Sequence, residues 1–421
     1  MIALQKYDGP FGIPIYHQSM PDIVKSVSMA WVVFTGSADD ESVGTKGLYH
    51  WLEHVPFRGT KKYPGGYRDT CGRFNKWGGQ INAWTNPHMT VYWAHVPFQQ
   101  WREALSVITD LLSNPLLTNE GINAERQIIK QEIQMSLASS RRYARLRLDE
   151  ILWSNHPFGH HALGSSSSLS EVDASRLRHA HKTGYDRSRL MFVSVGNILE
   201  RELRTEIDTL SIELPDNGLP TRRCSSFHCP LPLWQNSRVT EIETGFASSI
   251  VMMLFPVPNN SDHNTRYLYR RAHAELLEFG GMSSPIYKVI REERRLAYHA
   301  EFTERYCPGG GYVGFLTEAK KDNVEPLLEA YGDLLKDSSV CSKERIQEVR
   351  EGLPHLYAMR SIDPGEYVSD FITRFLGSDT AISDKECCEA VCRLTPNKAC
   401  QWISDLSPEK SHVVIFKGMG G

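Results

Sequence analysis

Short apolar runs and amphipathic helical segments alternate along the chain, and their order in the first half is repeated in the second. Apolar runs of about eight residues predict buried strands, whereas apolar residues three and four apart predict helices. In the first half, the strand segments are VSMAWVVFTGS, TVYWAHVP and RLMFVSVGN, and the helical segments are WREALSVITDLLSN and AERQIIKQEIQMSLA. In the second half, the strand segments are SSIVMMLFPVP, GYVGFLT and HVVIF, and the helical segments start at YLYRRAHAELLEF, VEPLLEAYGDLL and ERIQEVREGL.

This mixture of elements predicts an α+β fold, and the repeated order indicates two similar domains, each with a mixed or antiparallel sheet packed against helices. Two domains are also expected from the length of 421 residues, because a single hydrophobic core stops growing at roughly 250 residues. The segment Glu213–Ser237, which is rich in proline, asparagine and serine, interrupts the pattern and predicts a linker. We therefore place an N-terminal domain at residues 1–224 and a C-terminal domain at residues 225–421.

The charge and the apolar content exclude several classes of partner. A formal charge of -3 provides no broad basic surface for nucleic acid or anionic lipid. The apolar runs are far shorter than the roughly 20 residues needed to cross a bilayer. The N-terminal segment MIALQKYDGPFGIPIYHQ lacks the features of a secretory signal or a mitochondrial presequence. We therefore expect a cytoplasmic protein with no nucleic-acid partner and no membrane segment.

The nine cysteines, an odd number, show no regular framework spacing. Cys387, Cys388, Cys392 and Cys400 are close in sequence, but they lack the paired C-x-x-C spacing of a zinc finger. We expect the cysteines to be mostly reduced thiols.

The segment GLYHWLEHVPFRGT carries a group of metal-binding side chains. His50, Glu53 and His54 project from one face of the predicted helix, because residues three and four apart lie one turn from each other. Two neutral imidazoles and one carboxylate suit zinc and leave a fourth position for water. Zinc lowers the pKa of such a water to roughly 7, and Glu53 could take its proton. The pattern H-x-x-E-H is typical of zinc peptidases, although surface helices also carry these spacings without a metal.

A catalytic zinc with two histidines needs a third protein ligand. The helical segment AERQIIKQEIQMSLA supplies Glu125 and Glu132, which are seven residues apart and therefore share a helical face. The apolar Ile128 and Ile129 between them indicate that this face turns toward a core. From these residues alone both glutamates remain candidates, and a solvated stripe of glutamates is the alternative.

The segments GLYHWLEHVPFRGTKKYP and GGQINAWTNPHMTVYWAHVP resemble the M16, or pitrilysin, family of zinc metallopeptidases, which includes insulin-degrading enzyme and the mitochondrial processing peptidases. HPFGHHALGSSSSLSEV, YDRSRLMFVSVGN and the second half extend the resemblance to nearly the whole chain. It implies one Zn²⁺ per chain, bound by His50, His54 and Glu132. It also implies that Glu53 activates water and that Glu125 orients a ligating histidine.

In the second half, GGMSSPIYKVIREERRLAYHAEF resembles the family's second-domain signature. The resemblance implies that Arg291 and Tyr298 contact substrate in the opposing half. It also implies that the strand edge at Asn82 and Ala83 pairs with the substrate backbone. Without the resemblance, such an arginine is typical of a solvated surface, such a tyrosine of a core, and INAW of an ordinary strand.

The same resemblance implies one half of a clam-shaped peptidase, which should need a partner half. Because the chain carries both the zinc residues and the Arg291–Tyr298 pair, we expect a homodimer, with a heterodimer formed with an M16-like partner as the alternative. The expected function is a zinc metalloendopeptidase that hydrolyses unfolded peptides or small proteins. A noncatalytic peptide-binding or assembly subunit is the second hypothesis. A structural zinc protein is disfavoured, because no fourth Cys or His ligand stands near the motif.

Overall fold

A computed structural model of the chain describes residues 4–216, 234, 236–258, 263–307, 310–378 and 380–420. The strands are β1 (Gln5–Asp8), β2 (Pro14–Ser19), β3 (Ser26–Val33), β4 (Gln80–Thr85), β5 (Thr90–Pro97), β6 (Leu190–Gly196), β7 (Arg238–Glu243), β8 (Ser249–Pro258), β9 (Ala300–Cys307), β10 (Gly310–Ala319) and β11 (His412–Lys417). The α-helices of the first half are α1 (Asp40–Val43), α2 (Leu48–His54), α3 (Cys71–Trp77), α4 (Trp101–Ser113), α5 (Asn119–Ala138), α6 (Ser140–Leu152), α7 (Ser166–Ser170), α8 (Ala174–Gly184) and α9 (Glu200–Thr209). Those of the second half are α10 (His263–Glu278), α11 (Pro285–Tyr287), α12 (Val324–Lys336), α13 (Lys343–Arg360), α14 (Pro364–Ser378), α15 (Asp384–Cys392) and α16 (Pro396–Asp405).

The first sheet has the order β1-β2-β6-β3-β5-β4, so that β4 is an edge strand. β2 and β6 pair in parallel, and the other neighbours are antiparallel. The central strands β3 and β6 are buried on both faces, which agrees with their almost continuous apolar sequences. One face of this sheet packs against α2, α4, α5 and α8. The helix that carries the H-x-x-E-H motif is therefore fixed against the sheet.

The second sheet, in the order β7-β11-β8-β10-β9, repeats the first without its extra strand β1. β7 and β11 pair in parallel, as β2 and β6 do, and the three pairs that follow are antiparallel in both sheets. The structure confirms the prediction of an α+β fold with a mixed sheet in each half. The shared strand order supports the duplication that the repeated pattern indicated.

Each half covers the outer face of the other half's sheet with one helix. α14, from the second half, packs Val368, Phe371 and Phe375 against apolar residues of β2, β3, β5 and β6. α6, from the first half, packs Leu148 and Leu152 against apolar residues of β8, β10 and β11. The two sheets are consequently joined by an exchange of helices as well as by the chain itself.

The structure corrects the expectation about the cysteines at one pair. Cys341 and Cys400 form a disulfide across 59 residues of sequence, whereas Cys71, Cys387, Cys388 and Cys392 are free thiols. The pairing was not predicted because the two residues lie far apart in sequence and outside any repeated spacing. Disulfides are rare in cytosolic proteins, so this bond does not favour the cytoplasmic location, which stays a prediction.

The predicted domain boundary near residue 225 lies outside the described residues, and the division at that point stays a prediction. Among the described helices, none combines the length and the apolar content that crossing a membrane requires.

Candidate metal centre

The motif helix α2 is held by its apolar face. Leu48, Trp51 and Leu52 are fully buried in the core, because they recur at the three- and four-residue spacing of an amphipathic helix. Tyr92, on β5, donates a hydrogen bond from its hydroxyl to the carbonyl oxygen of Leu52 at 3.0 Å. The face that remains carries the two histidines and the glutamate of the motif.

The start of α2 is fixed by a buried carboxylate. Gly47 precedes the helix with a φ of 83°, a left-handed conformation that glycine adopts without steric cost. Asp40 accepts hydrogen bonds from the backbone N–H groups of Gly47, at 2.6 Å, and Tyr49, at 3.1 Å. His160 Nε2 lies 3.4 Å from the same carboxylate. These contacts satisfy amides that a helix start leaves unpaired, so the candidate metal ligands His50 and His54 lie on an anchored helix.

Three donor atoms converge beside α2. The Nε2 atoms of His50 and His54 are 3.2 Å apart, and Oε2 of Glu132, on α5, lies 3.6 Å from each of them. In a tetrahedral zinc site with ligand bonds of about 2.0–2.1 Å, ligand atoms stand roughly 3.3 Å apart. The donor types and their separations therefore fit a zinc ion that keeps one coordination position open.

Glu53 is a second carboxylate within reach, since one of its oxygens and one nitrogen from each histidine lie within 4.8 Å of one another. Two observations nevertheless favour Glu132 as the third ligand. Glu132 is equidistant from both ring nitrogens, and the Glu53 carboxylate already accepts a hydrogen bond from Thr85 Oγ1, at 2.7 Å. Glu53 thus lies beside the three donors as a separate carboxylate.

Glu125 lies behind His54 and is completely buried. Its Oε2 is 3.1 Å from His54 Nδ1, while its Oε1 accepts hydrogen bonds from Arg58 and, at 3.2 Å, from Tyr67. A proton on Nδ1 shared with this carboxylate leaves Nε2 as the atom that faces the other donors. The contact is the one expected of a residue that orients a metal ligand.

The two histidines have opposite electrostatic surroundings. Burial, together with the neighbouring His54, holds the pKa of His50 well below its ordinary value. Burial also lowers the pKa of His54, but the hydrogen bond to Glu125 and the nearby carboxylates outweigh it and raise the pKa above its ordinary value. Metal binding must displace the proton that this environment favours on His54, and it would therefore be coupled to pH.

The Glu53 carboxylate has a raised pKa, of about 7, chiefly because it is buried. A bound cation would lower this pKa, because a nearby positive charge favours the ionised form. Thr85, on β4, was not identified from the sequence. Its contact with Glu53 depends on where the strand lies against α2, and threonine within a strand carries no distinguishing signal.

The donors open into a cleft of about 550 Å³. The edge strand β4 contributes Asn82 and Ala83 to its wall, so the residues predicted to pair with substrate lie beside the metal residues. The lining also includes Arg305, which forms a two-bond ion pair with the buried Asp149 at 2.6 and 2.8 Å. This pair links β9 to α6, and sequence reasoning did not find it because its partners lie 156 residues apart.

Arg291 and Tyr298 lie next to each other but not in the lining of this cleft. The Arg291 guanidinium stacks over the Tyr298 ring at 4.1 Å, and Tyr298 is 78 % exposed. The structure therefore brings the two residues together and leaves them accessible from outside the chain. Their role in substrate binding stays a prediction.

Two family models match consecutive parts of the chain. The first, described as "Insulinase (Peptidase family M16)", matches residues 19–166. The second, "Peptidase M16 inactive domain", matches residues 171–353. The chain belongs to the M16 peptidase family. All the donor residues described above lie within the match to the first M16 model.

Named relatives and solved structures agree with this assignment. An "Uncharacterized zinc protease" from Rickettsia bellii is 25% identical over 342 residues, which cover 80% of this chain and 79% of the relative. The crystal structure of a protease from Helicobacter pylori superimposes with a TM-score of 0.85 at 16% identity, covering 99% of this chain and 100% of the other. The structure of pitrilysin gives 0.74 at 17% identity, covering 99% of this chain but 45% of pitrilysin. At these identities the two structures establish the fold alone.

Proposed function

We propose that this M16 chain is a zinc-dependent endopeptidase that hydrolyses extended, unfolded peptides. The observation that carries the proposal is the arrangement of His50, His54 and Glu132, whose donor atoms lie 3.2–3.6 Å apart next to a separate carboxylate, Glu53. Three protein ligands with an open fourth position are typical of catalytic zinc sites, whereas structural sites are closed by four. The names of the zinc-protease relatives support zinc as the metal.

When bound, zinc supplies an electrophile that polarises a peptide carbonyl and acidifies water. Glu53 then transfers the proton that the reaction requires. Glu53 uses Oε2 to accept the hydrogen bond of Thr85, which leaves Oε1 to take a proton from the attacking water and deliver it to the leaving nitrogen. Glu125 holds the ring of His54 in one orientation throughout.

The edge of β4 supports an extended substrate. A peptide that adds to an edge strand is held mainly by backbone hydrogen bonds, so many sequences can bind provided that they are unfolded. Asn82 and Ala83 lie on this edge and line the cleft. A peptide bound there would pass directly beside Glu53, because Thr85 belongs to the same strand.

A homodimer is the assembly that we propose for the active enzyme. Arg291 and Tyr298 lie outside the cleft of their own chain, so a second copy could supply its pair to this site and complete it. The chain spans 45% of pitrilysin, which is consistent with one half of a larger peptidase. A heterodimer with a related chain is the alternative assembly.

A noncatalytic subunit is the second candidate function, and the name of the second family model favours it. That model matches residues 171–353, however, whereas the metal residues lie in the first match, at 19–166. Peptide binding alone requires no buried carboxylate beside two histidines, whereas hydrolysis requires a base next to the metal. The peptidase is therefore the better-supported function.

Removing the metal tests the peptidase proposal. We expect a chelator to abolish hydrolysis of an unstructured, quenched fluorescent peptide, and zinc to restore it, because the carbonyl is no longer polarised without the ion. Metal analysis before and after treatment measures the number of zinc ions bound per chain. Hydrolysis that persists in fully metal-free protein would contradict the proposal, and a folded, zinc-loaded protein without activity would support the noncatalytic alternative.

Replacing Thr85 with valine should lower kcat by roughly 10- to 150-fold, since a hydrogen bond to a charged group contributes about 1.5–3 kcal/mol. Valine keeps the shape and the strand preference of threonine, so KM and zinc content should stay close to those of the wild type. Thr85→Ser, which retains the hydroxyl, is the matched control and should recover most of the rate. Steady-state kinetics on the two variants would distinguish this effect from a general disturbance of β4, which would raise KM in both.

A further inference from the structure

A second cavity, of about 520 Å³, lies on the other side of β4 from the metal centre. Its floor is formed by β3, β4 and β5, and its wall by the first turns of α14. Because β4 lines both this cavity and the zinc cleft, a peptide bound along the strand would border both of them.

Side chains of β4 alternate between the two faces of the sheet, as they must in a strand, although Asn82 and Trp84 also border the metal cleft at the edge of the sheet. Thr85 contacts Glu53 on the metal side, and Ala83 packs in the core on that side. Gln80 and Trp84 point to the other face and line the second cavity. A substrate strand paired with β4 would alternate in the same way, so every second side chain would lie on the side of the sheet that carries this cavity.

The chemistry of the cavity favours a positive charge. Three carboxylates line it, from Asp363, Glu366 and Asp370, together with the indole rings of Trp84 and Trp93. Neither lysine nor arginine is present among the described residues of the lining, and its one histidine, His95, lies with Nδ1 4.0 Å from the Asp363 carboxylate. Carboxylates attract a cation, and indole faces bind one through the charge distribution of the ring.

The three carboxylates differ in how free they are to bind a cation. Asp363 accepts a hydrogen bond from the backbone N–H of Gly365 at 2.6 Å, which caps the start of α14. Asp370 lies 3.7 Å from Arg374, one turn further along the helix. Glu366 is exposed in the first turn of α14 and forms no ion pair within the described part of the chain. Glu366 is therefore the carboxylate best placed to meet an incoming cation.

We propose that this cavity binds an arginine or lysine side chain of the peptide that is held along β4, and so selects substrates with a basic residue at one alternating set of positions. The proposal rests on the proposed function, because it takes the bound peptide as its ligand. It adds to the proposed function a specific binding cavity, the negative charge of that cavity, and a preference that recurs at every second substrate residue because of strand geometry.

The test is a scan in which one arginine is moved along a neutral, unstructured peptide, with citrulline at the same position as the uncharged isostere. We expect arginine to raise kcat/KM over citrulline by roughly 3- to 30-fold, the combined size of an exposed ion pair and a cation–aromatic contact. The preference should appear at alternate positions relative to the cleavage site, as mapped by mass spectrometry. Equal rates for arginine and citrulline at every position would overturn the proposal.

Substitution of Glu366 identifies the cavity as the source of the preference. Glu366→Gln should reduce the arginine preference by roughly 2- to 5-fold, and Glu366→Lys should abolish or invert it. Glu344→Gln is the matched control, because Glu344 is likewise exposed in the first turn of a helix but lies outside this cavity. A preference that is unaffected by both Glu366 variants, or reduced equally by the control, would overturn the assignment to this cavity.

A measurement of peptide binding distinguishes a failure of this proposal from a failure of the proposed function. Fluorescence anisotropy with the labelled arginine and citrulline peptides can be measured on zinc-loaded Glu53→Gln protein, with and without Glu366→Gln. Tighter binding of the arginine peptide that depends on Glu366 supports the cavity even if the wild type hydrolyses nothing. Hydrolysis by the wild type without any such preference rejects the cavity and leaves the peptidase proposal standing.

Discussion

Glu53→Gln protein should keep its zinc but lose hydrolysis of an unstructured peptide, with kcat reduced by about 10²–10⁴-fold, the contribution that a positioned base makes to proton transfer. Glutamine has almost the same shape as glutamate and can still accept the hydrogen bond that Thr85 donates to Glu53 at 2.7 Å. It cannot, however, take a proton from water. Steady-state kinetics together with metal analysis of the same sample measures both properties.

The matched control for this variant is Glu120→Gln, which changes an exposed glutamate in the first turn of α5 and should leave kcat unchanged. Zinc retained at one ion per chain shows that the metal centre survived the Glu53 change. Activity of the Glu53 variant within a few fold of the wild type would exclude this carboxylate as the base. Loss of zinc from the variant would instead assign Glu53 to the metal ligands.

The second large effect should separate the two glutamates of α5. Glu132→Gln removes a carboxylate whose oxygen lies 3.6 Å from both imidazole nitrogens, so zinc affinity should fall by more than roughly 100-fold, beyond the range for groups outside the ligands. Glu125→Gln removes the acceptor at 3.1 Å from His54 Nδ1, and a change outside the ligands themselves costs about 10–100-fold in affinity. Competition with a chromophoric chelator measures both constants.

The control for both zinc affinities is a variant of an exposed glutamate on the same helix. Glu120→Gln serves again, because Glu120 lies in the first turn of α5, more than three helical turns before Glu132. Its zinc affinity should equal that of the wild type. If Glu125→Gln weakened zinc binding more than Glu132→Gln did, the two roles would have to be exchanged. If neither variant changed the affinity, α5 would not contribute to the site.

The strands buried on both faces could be predicted from the sequence, and the resemblance also indicated the edge strand β4 at Asn82 and Ala83, but the edge strands β1 and β7 could not be predicted. TVYWAHVP predicted β5 over its full length, Thr90–Pro97, because nearly all of its residues are apolar or favour strands. β1 and β7 are short and largely exposed, so their composition does not differ from that of loops. The helix α14 was also missed, and its partner sheet lies in the other half of the chain, where no local pattern can indicate it.

Part of the metal site could likewise be predicted from the sequence, and part of it could not. The spacing of His50, Glu53 and His54 within one helix was sufficient to predict that they share a face. Helical spacing could not separate Glu125 from Glu132, since seven residues return to the same side of a helix. Their distinct contacts, one with Nδ1 and one with both Nε2 atoms, depend on how α5 packs against α2. Thr85 and Arg305 required the tertiary structure for the same reason.

The exchange of α14 and α6 between the two sheets means that the halves cannot be separated as independent modules. A fragment that ended in the linker would leave Ala30, Val32 and Val193 of the first sheet without the helix that covers them. The complementary fragment would expose Met252 and Leu254 of the second. Uncovered apolar sheet faces of this kind promote aggregation. Shortened versions of this protein made for crystallography or screening should therefore keep both halves, and recombination with relatives should exchange each sheet together with its covering helix.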